Sequence, residues 1–532
     1  MAMQYGRYVA ERPPGLAEGW TLERLTSMSR LYGANGMRTG KDGRIYVAQV
    51  SGSQISAIDP ETGAVESISP MGGGIVGPDD LVFDDEGNLY ATEITEGRVS
   101  VITPKGETRV VYGDMPVANP ITFHQGRLIA GELRMDGRIL ELDRDGGAPK
   151  VILDNVPMPN AFDVGPDGML YFPAQGVNEI WRVSLDGKGV PEKVAGDLGV
   201  PDSVKFDSKG RIVSTQVYSG QVLRIDPRTG AREVIADIAP GLDNVTFVGD
   251  RIFVSSISGQ VNEILEGGKL RSVIPDGFNW PLGITMGEDG VLFVADGPYA
   301  YNLKPGSAPQ MAAMLFTPGC PGYTRGVAAS GPGEYTVTTA TGQVARWRPA
   351  QQESDVLAEG FDRLYGVALA PGGAVVFAEA GAGRVLSVEG GKVETLATGL
   401  KEPTGVAVGS DGVVYVSESD GGRVVKLSGG KAETVVDGLK TPQGLLVRNG
   451  RLYIVDAGAK TLVEYELKSG ARQNIAANLP VGAPPGVTAK FLGGIGSMSG
   501  PMGPFAGIAG GANGALYISA DAEGSVLAIR PL

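Results

Sequence analysis

The chain repeats one arrangement of hydrophobic and polar positions along its length. A short apolar segment leads through a glycine-containing turn into an alternating segment that ends in a small or acidic residue. Alternation with a period of two predicts β-strands with one buried face. The twelve alternating segments are Ile45–Gln49, Leu89–Glu93, Leu128–Glu132, Leu170–Ala174, Ile212–Gln216, Ile252–Ser256, Leu292–Asp296, Tyr335–Thr339, Val375–Glu379, Val414–Glu418, Leu452–Asp456 and Leu516–Ala520.

The spacing of these segments predicts the architecture. Successive segments start 38 to 44 residues apart, except for a last step of 64 residues. A repeat of roughly 40–50 residues is typical of the four-stranded blade of a β-propeller. The stretch Gly405–Val436 shows the unit most clearly, with four short strands separated by turns of Gly, Asp and Ser. We predict an all-β protein with twelve four-stranded blades, packed as two six-bladed β-propellers.

One position divides the repeats into two sets of six. It lies where the innermost strand of each blade starts, at the mouth of the central channel. In the first six blades it holds Asn or Asp, a set that we call the mouth ring: Asn35, Asp79, Asn119, Asn160, Asp202 and Asp243. In the last six it holds Leu282, Arg325, Tyr365, Thr404, Gln443 and Ala506. We therefore predict a first propeller over residues 30–276 and a second over residues 277–532.

Two further features belong to the second propeller. Its last blade has only three strands, and the alternating segment Trp20–Met28 is suited to supply the fourth, which predicts that residues 20–28 close this propeller. The 64-residue step contains Leu479–Phe505, on the face where the channel opens. Long loops in compact domains are often functional, and we keep two interpretations of this loop, a lid and a mobile surface loop.

Composition excludes several kinds of chemistry. The 532 residues include 82 glycines, one cysteine and one histidine, which rules out an intrachain disulfide, a multi-cysteine metal site and a histidine cage. The net charge of −14 opposes binding to nucleic acid. No run approaches the ~18 apolar residues of a membrane helix, and the first fifteen residues lack the apolar core of a leader peptide. We expect no membrane association and a cytoplasmic location.

The mouth ring is the strongest candidate for chemistry. Its carboxylate and amide oxygens suit a hard divalent cation, which predicts Ca²⁺ first, with Mg²⁺ or Mn²⁺ as alternatives. The predicted metal ligands are Asn160, Asp202, Asn35, Asp79 and Asp243. A second interpretation is that Asn and Asp merely begin these strands, because their side chains satisfy backbone groups in turns.

Residues at the ends of the second strands lie one level deeper. We predict Glu93 and Glu132 as catalytic groups together with Asp202, and Gln49 and Gln216 as substrate-binding groups together with Asn119. The equivalent acids of the second propeller, Asp296, Glu379, Glu418 and Asp456, are predicted to hold blades together. His124 and Cys320 are interpreted as non-catalytic. At the second mouth Arg325, Tyr365 and Gln443 either bind an anionic or aromatic ligand or plug the channel.

The blades resemble the senescence marker protein/gluconolactonase (regucalcin-like) family and NHL-type six-bladed propellers. The resemblance rests on Met158-Pro159-Asn160-Ala161 and Val200-Pro201-Asp202-Ser203. It implies that Asn160 and Asp202 bind a metal ion, that Asp202 is also the general base, and that Asn119 lies in the substrate site. Asn35 stands where the family has a glutamate ligand, and the family's arginine near the third-blade Asn is missing.

These observations predict a metal-dependent hydrolase of a small lactone or ester, with its site at the channel mouth of the first propeller. Its partner would be a small-molecule substrate, and the sequence leaves the oligomeric state open. Two alternatives remain. One is a metal-dependent lyase or isomerase acting on a small carbonyl compound, and the other is a ligand-binding propeller without catalysis.

Overall fold

The computed structural model describes residues 6–10 and 12–532, which form twelve antiparallel sheets. Strands make up 51% of the chain and helices 2%. Eleven sheets have four strands and one has five, so the predicted all-β fold of two six-bladed propellers is confirmed. All twelve predicted second strands agree with the structure to within one residue at each end. Part of the segment used for the leader-peptide prediction lies outside the described residues.

The chain separates into two compact units. The first propeller contains Arg30–Asn279 together with the short segment Leu492–Gly496. The second propeller contains the chain up to Ser29, Trp280–Phe491 and Ser497–Leu532. Within the described residues, no helix has the length and apolarity that a transmembrane span requires.

The first propeller contains blades 1 to 6, each with its strands in chain order from the centre outwards. They are blade 1 (Met37–Thr39, Ile45–Gln49, Gln54–Ile58, Val65–Ser69), blade 2 (Pro78–Phe83, Leu89–Glu93, Arg98–Ile102, Thr108–Tyr112), blade 3 (Ala118–His124, Arg127–Glu132, Gly137–Leu142, Lys150–Val156), blade 4 (Asp163–Val164, Met169–Ala174, Glu179–Ser184, Glu192–Ala195), blade 5 (Lys205–Phe206, Ile212–Thr215, Gln221–Ile225, Arg232–Asp237) and blade 6 (Leu242–Val248, Arg251–Ser256, Val261–Ile264, Leu270–Ile274).

The second propeller contains blades 7 to 12. They are blade 7 (Ile284–Met286, Leu292–Asp296, Tyr299–Leu303, Gln310–Met314), blade 8 (Thr324–Gly331, Glu334–Thr339, Gln343–Arg348, Glu353–Glu359), blade 9 (Leu364–Leu369, Val375–Glu379, Arg384–Glu389, Lys392–Ala397), blade 10 (Pro403–Val408, Val414–Glu418, Arg423–Ser428, Lys431–Val436), blade 11 (Pro442–Arg448, Arg451–Asp456, Thr461–Glu466, Arg472–Ala477, with Gly15–Leu16 outside) and blade 12 (Ile508–Gly510, Leu516–Ala520, Ser525–Pro531, with Trp20–Arg24 outside). Short 3₁₀ turns occur at Gln175–Val177, Glu266–Gly268, Pro349–Gln351 and Ala512–Gly514.

The outer strand of blade 12 comes from the opposite end of the chain. Trp20–Arg24 pairs antiparallel with Ser525–Pro531, from Trp20 opposite Pro531 to Arg24 opposite Leu527. A sheet edge left open exposes unpaired backbone groups, and this strand covers it. The last blade and the first described strands of the chain are therefore held together by backbone hydrogen bonds.

Hydrogen bonds between neighbouring blades close the first propeller. The N–H of Gly36 donates to the carbonyl of Asp79 at 2.7 Å, which joins blade 1 to blade 2. The hydroxyl of Ser255 donates to the carbonyl of Asn35 at 2.8 Å, which joins blade 6 back to blade 1. A Cβ at position 36 would lie 2.6 Å from the Asp79 carbonyl oxygen, so only glycine permits this approach.

The hydrophobic core lies between adjacent blades. Blades 6 and 1, which are far apart in the sequence, share one apolar cluster that includes Met37, Ile45, Phe253 and Val261. Alternate residues of each strand face such clusters, as the period of two predicts. The inner strands are thereby fixed around the central channel, where the mouth ring lies.

Candidate functional site

The six residues of the mouth ring are brought to the start of six inner strands and are all buried. Their exposed fractions lie between 3% for Asn160 and 8% for Asn35. Backbone carbonyls of the ring are held from the neighbouring blade. The hydroxyl of Thr92 donates to the carbonyl of Asn119 at 2.7 Å, and that of Thr215 donates to the carbonyl of Asp243. The ring positions are therefore fixed by bonds between blades.

Two amide–carboxylate pairs occur within the mouth ring. The Nδ2 of Asn160 donates to Oδ2 of Asp202 at 3.0 Å, and the Nδ2 of Asn35 donates to Oδ2 of Asp243 at 3.1 Å. Gln175 adds a bond of 3.2 Å from its Nε2 to the same Oδ2 of Asp202. Oδ1 of Asp202 receives no hydrogen bond from the described residues. The side-chain amide of Asn119 likewise forms no hydrogen bond with them.

Burial raises the pKa of each aspartate in the mouth ring and so disfavours its charged form. The pKa of Asp79 is raised to about 8, first by burial and then by the charge of Asp80. Burial likewise raises the pKa of Asp202 well above its ordinary range, with the charge of Asp79 as the next cause. For Asp243 burial is again the first cause of the raised pKa, followed by the charge of Asp202. The three carboxylates therefore repel one another across the channel mouth.

A divalent cation fits the donor chemistry of this ring. In the described part of the chain, no Lys or Arg forms an ion pair with Asp79, Asp202 or Asp243. Buried carboxylates are normally paired with a cation or coordinate a metal ion, because an unpaired buried charge is costly. Among the described residues, however, no three His, Cys, Asp or Glu side chains are close enough together to form a metal site by themselves. A site here would have to include the amide oxygens of the ring.

The four strand-end residues predicted in the first propeller have structural partners instead. Three of them accept backbone N–H groups of the segment that enters their own blade. The accepted bonds are Tyr32 N–H to Gln49 at 2.9 Å, Val76 N–H to Glu93 at 2.7 Å and Gly199 N–H to Gln216 at 3.0 Å. Glu93 also forms an ion pair of 2.6 Å with Arg98.

Glu132 is likewise engaged within its own blade. It forms ion pairs of 2.5 Å with Arg138 and 3.2 Å with Arg134, and its side chain is fully buried. These contacts hold each residue within its own blade, while the catalytic role of Glu93 and Glu132 and the substrate-binding role of Gln49 and Gln216 stay predictions. We leave these four residues out of the site.

The same contact recurs in the second propeller. Each strand-end acid accepts an N–H from a residue 16 or 17 positions earlier: Trp280 to Asp296, Asp362 to Glu379, Lys401 to Glu418 and Lys440 to Asp456. These distances are 2.6 to 2.9 Å. This hydrogen bond from the entering segment to the end of the second strand is therefore a structural feature of the blade. The spacing of 16 or 17 positions between donor and acceptor recurs in both propellers.

The structure adds two basic residues that the sequence analysis missed. Arg38 in blade 1 donates to the carbonyls of Leu81 at 3.1 Å and Ile121 at 2.9 Å, in the inner strands of blades 2 and 3. Lys205 in blade 5 donates to the carbonyl of Phe162 at 3.0 Å. Burial lowers the pKa of Lys205 to about 8, and the charge of Arg38 acts in the same direction.

These two cations lie in the inner strands, three residues after Asn35 and Asp202 of the mouth ring. Arg38 is 3.9 Å from the carboxylate of Asp80, which is itself 1% exposed. A basic residue in an otherwise apolar inner strand is the signal that could have identified them. They give the channel of the first propeller a positively charged level next to its acidic mouth.

Other candidates have no part in this site. His124 ends the inner strand of blade 3. Burial raises the pKa of the Cys320 thiol to about 11, which disfavours the reactive thiolate. At the second mouth Arg325 lies over the ring of Tyr365 at 4.3 Å and donates to the carbonyl of Gly503. Gln443 accepts the N–H of Ala506 at 2.8 Å. Gly503 of the loop Leu479–Phe505 thus lies at the second mouth, in contact with Arg325.

One region of the chain matches a known protein-family model. Residues 122–258 match the SMP-30/gluconolactonase/LRE-like region. The resemblance drawn from the sequence is thereby confirmed, and the matched SMP-30/gluconolactonase/LRE-like region includes Asn160, Asp202 and Asp243 of the mouth ring. A curated gluconolactonase of Zymomonas mobilis subsp. mobilis is 26% identical over 200 residues, covering 34% of this chain. The match spans about half (49%) of that relative's length.

Solved structures align with part of this chain at low sequence identity. A streptogramin B lyase structure is 20% identical, with 52% of this chain and 96% of that chain aligned and a TM-score of 0.39. A gluconolactonase from Xanthomonas campestris, XC5397, is 17% identical, with 48% and 96% of the two chains aligned and a TM-score of 0.39. Similarity at this level says nothing about the chemistry of the mouth ring.

Proposed function

We propose that the first propeller binds one divalent cation at the mouth ring, Ca²⁺ in preference to Mg²⁺ or Mn²⁺, and there hydrolyses a small lactone or other small ester. The observation that carries this proposal is the set of three buried ring aspartates without a basic partner among the described residues. The match of residues 122–258 to a gluconolactonase-like region supports the substrate class.

The ring residues divide the work. The proposed ligands are Asn160, Asp202, Asn35, Asp79 and Asp243. Since no three carboxylates of the described residues are close enough to form a site together, amide oxygens of the ring would have to complete it. Such oxygen ligands favour Ca²⁺ over a metal that prefers nitrogen or sulfur. A cation bound there would polarise the carbonyl of the ester. Asn119, whose amide is free of hydrogen bonds to the described residues, would orient the substrate from the neighbouring blade.

Asp202 is the proposed general base. Its Oδ2 is held by the amides of Asn160 and Gln175, so Oδ1 is the oxygen left to accept a proton from water. The water oxygen then bonds to the carbonyl carbon and the ester C–O bond breaks. The proton on Asp202 returns to the leaving alkoxide, which gives a hydroxy acid from a lactone and leaves the carboxylate as it began.

Calorimetric titration of Ca²⁺, then Mg²⁺ and Mn²⁺, into chelator-treated protein tests the cation site. We expect one-site binding that is lost in Asp202→Ala and retained in Asp250→Ala, a matched change at an exposed aspartate of the same propeller. Absence of binding by all three ions would contradict the metal site.

A screen of lactones and small esters tests the reaction. Hydrolysis adds about 18 Da to the substrate mass, whereas elimination or isomerisation adds no water, so mass spectrometry of the product separates these reaction classes. Turnover that is unchanged in Asp202→Ala would contradict the role of this residue. A cytoplasmic location is part of the same proposal and rests on composition alone.

A further inference from the structure

A short segment from late in the chain belongs structurally to the first propeller. Leu492–Gly496 lies within the long loop Leu479–Phe505, yet it groups with Arg30–Asn279. Its sequence is Leu-Gly-Gly-Ile-Gly, with Leu492 2% exposed and Ile495 4% exposed, whereas the preceding Phe491 is 39% exposed. Two apolar residues separated by glycines are thus buried directly after the exposed Phe491.

The glycines of this segment rest directly on blades 2 and 3. A Cβ at Gly493 would overlap the carbonyl oxygen of Thr95, so the backbone at 493 lies against that carbonyl. A Cβ at Gly496 would lie 3.2 Å from a methyl group of Val117. A larger residue at 493 would require the backbone of one of the two segments to shift, whereas at 496 the Val117 side chain would have to give by a few tenths of an ångström.

The two contacted residues flank the mouth ring. Val117 precedes Asn119 by two residues, and its backbone is left-handed, with φ of 54°. Thr95 lies in the turn after the second strand of blade 2, where the N–H of Ile94 donates to the carbonyl of Gly77, two residues before Asp79. In an antiparallel blade this turn and the start of the inner strand lie at the same end. The segment therefore covers the blade 2 and blade 3 side of the channel mouth.

We propose that Leu492–Gly496 determines specificity, because it limits the size of the ester that reaches the mouth ring. This inference rests on the proposed function and deepens it, since it assigns small, compact lactones as the preferred class and bulkier esters as the excluded one. The segment is a positioning element and supplies no reacting group.

The reactivity of an introduced thiol tests whether Leu492–Gly496 is packed against the first propeller. This test does not depend on enzymatic activity. Cys320 is the only cysteine, so Cys320→Ser gives a background in which Ile495→Cys carries a single thiol. We expect this thiol to react with a disulfide reagent at least about tenfold more slowly than the thiol of Phe491→Cys in the same background, because reaction at 495 requires local opening. Equal rates at 491 and 495 would overturn the inference.

The selectivity arm uses Gly493→Ala, with Gly113→Ala as the matched control because a Cβ there meets no other atom. In Gly493→Ala we expect the ratio of kcat/KM for a bulky ester to that for a small lactone to rise about fivefold or more. Ca²⁺ affinity should stay unchanged. The control should leave the ratio as it is in the unsubstituted protein.

The outcomes separate the two proposals. An unchanged ratio in an active Gly493→Ala enzyme would overturn the role of the segment and leave the hydrolase proposal standing. Absence of lactone or ester turnover in the unsubstituted protein would overturn the hydrolase proposal and the selectivity role with it. Faster reaction of the thiol at 495 when Gly493→Ala is added would support the contact between Gly493 and Thr95.

Discussion

The Nδ2 of Asn160 donates a hydrogen bond of 3.0 Å to Oδ2 of Asp202, and both side chains are more than nine-tenths buried. The two residues come from adjacent blades, and they are the two that resemble family metal ligands. An amide donor facing a buried carboxylate stabilises its charged form, which opposes the effect of burial. Replacing either partner should therefore change the free-energy cost of negative charge in the mouth ring.

In Asn160→Asp a fourth carboxylate replaces a donor to Asp202. We expect the free energy of unfolding of the chelator-treated protein to fall by roughly 2 kcal/mol. The added carboxylate at position 160 is buried without a cationic partner, and the hydrogen bond from Asn160 to Asp202 is lost. Ca²⁺ should restore much of this loss, since it neutralises the added charge. Thermal unfolding with and without Ca²⁺ checks the prediction, and equal stability of variant and parent in chelator would contradict it.

The opposite change is Asp79→Asn. Burial and the charge of Asp80 raise the pKa of Asp79, and its charge in turn disfavours ionisation of Asp202. Removing it should stabilise the chelator-treated protein by about 1 kcal/mol while reducing the stabilisation that Ca²⁺ provides. Unfolding curves at several Ca²⁺ concentrations measure both effects, and a variant that is less stable than its parent in chelator would refute the repulsion argument.

Glu93 should matter for stability and not for chemistry. Its carboxylate is fully buried and bonds to the N–H of Val76 and to Arg98. Glu93→Ala should cost roughly 3 kcal/mol, because three partners, the Val76 N–H, Arg98 and the Ser100 hydroxyl, lose a buried acceptor. Glu66→Ala, at an exposed ion pair with Arg44, serves as the control and should cost less than about 1 kcal/mol.

The measurement for Glu93 combines urea unfolding with Ca²⁺ titration. Ca²⁺ affinity at the mouth ring should be retained in the folded Glu93→Ala protein. Loss of Ca²⁺ binding without loss of stability would instead restore the catalytic prediction for this residue.

Stability should depend on pH through Asp521 of the second propeller. Burial raises the pKa of its carboxyl group from the ordinary value of 3.8 to about 6, although it accepts the N–H of Gly482 at 2.8 Å. The folded state therefore holds the proton more tightly than the unfolded state. Its contribution to stability is present below about pH 4 and is lost as the pH rises towards 6.

Asp521→Asn lacks this titration. Relative to the parent, the variant should be more stable at pH 7.5 than at pH 4, by up to about 3 kcal/mol. Asp250→Asn, at an exposed position, should show no such difference. Urea unfolding at the two pH values gives the comparison, and a stability difference independent of pH would contradict the assignment to Asp521.

Local regularities in the sequence were sufficient to predict the blades. Strand alternation and turn residues depend on neighbours a few positions away, and the predicted second strands agree with the structure to within one residue at each end. The mouth ring also follows from local position, because each member lies within three residues of the start of an inner strand. A structural role was predicted for the strand-end acids of the second propeller but not for Glu93, although Glu93 and Glu418 both accept an N–H group from 17 positions earlier.

Contacts between segments that are distant in the sequence were determined only by the tertiary structure. Arg38 reaches Ile121, 83 positions away, and Ser255 closes the ring on Asn35 across 220 positions. The long loop was predicted as one unit, but Leu492–Gly496 groups with the first propeller and its neighbours with the second. Periodicity reports which face of a strand is buried, whereas the partner of a buried polar group depends on how the blades close into a ring. The residues that meet when the ring closes are distant in the sequence, so no local pattern specifies these partners.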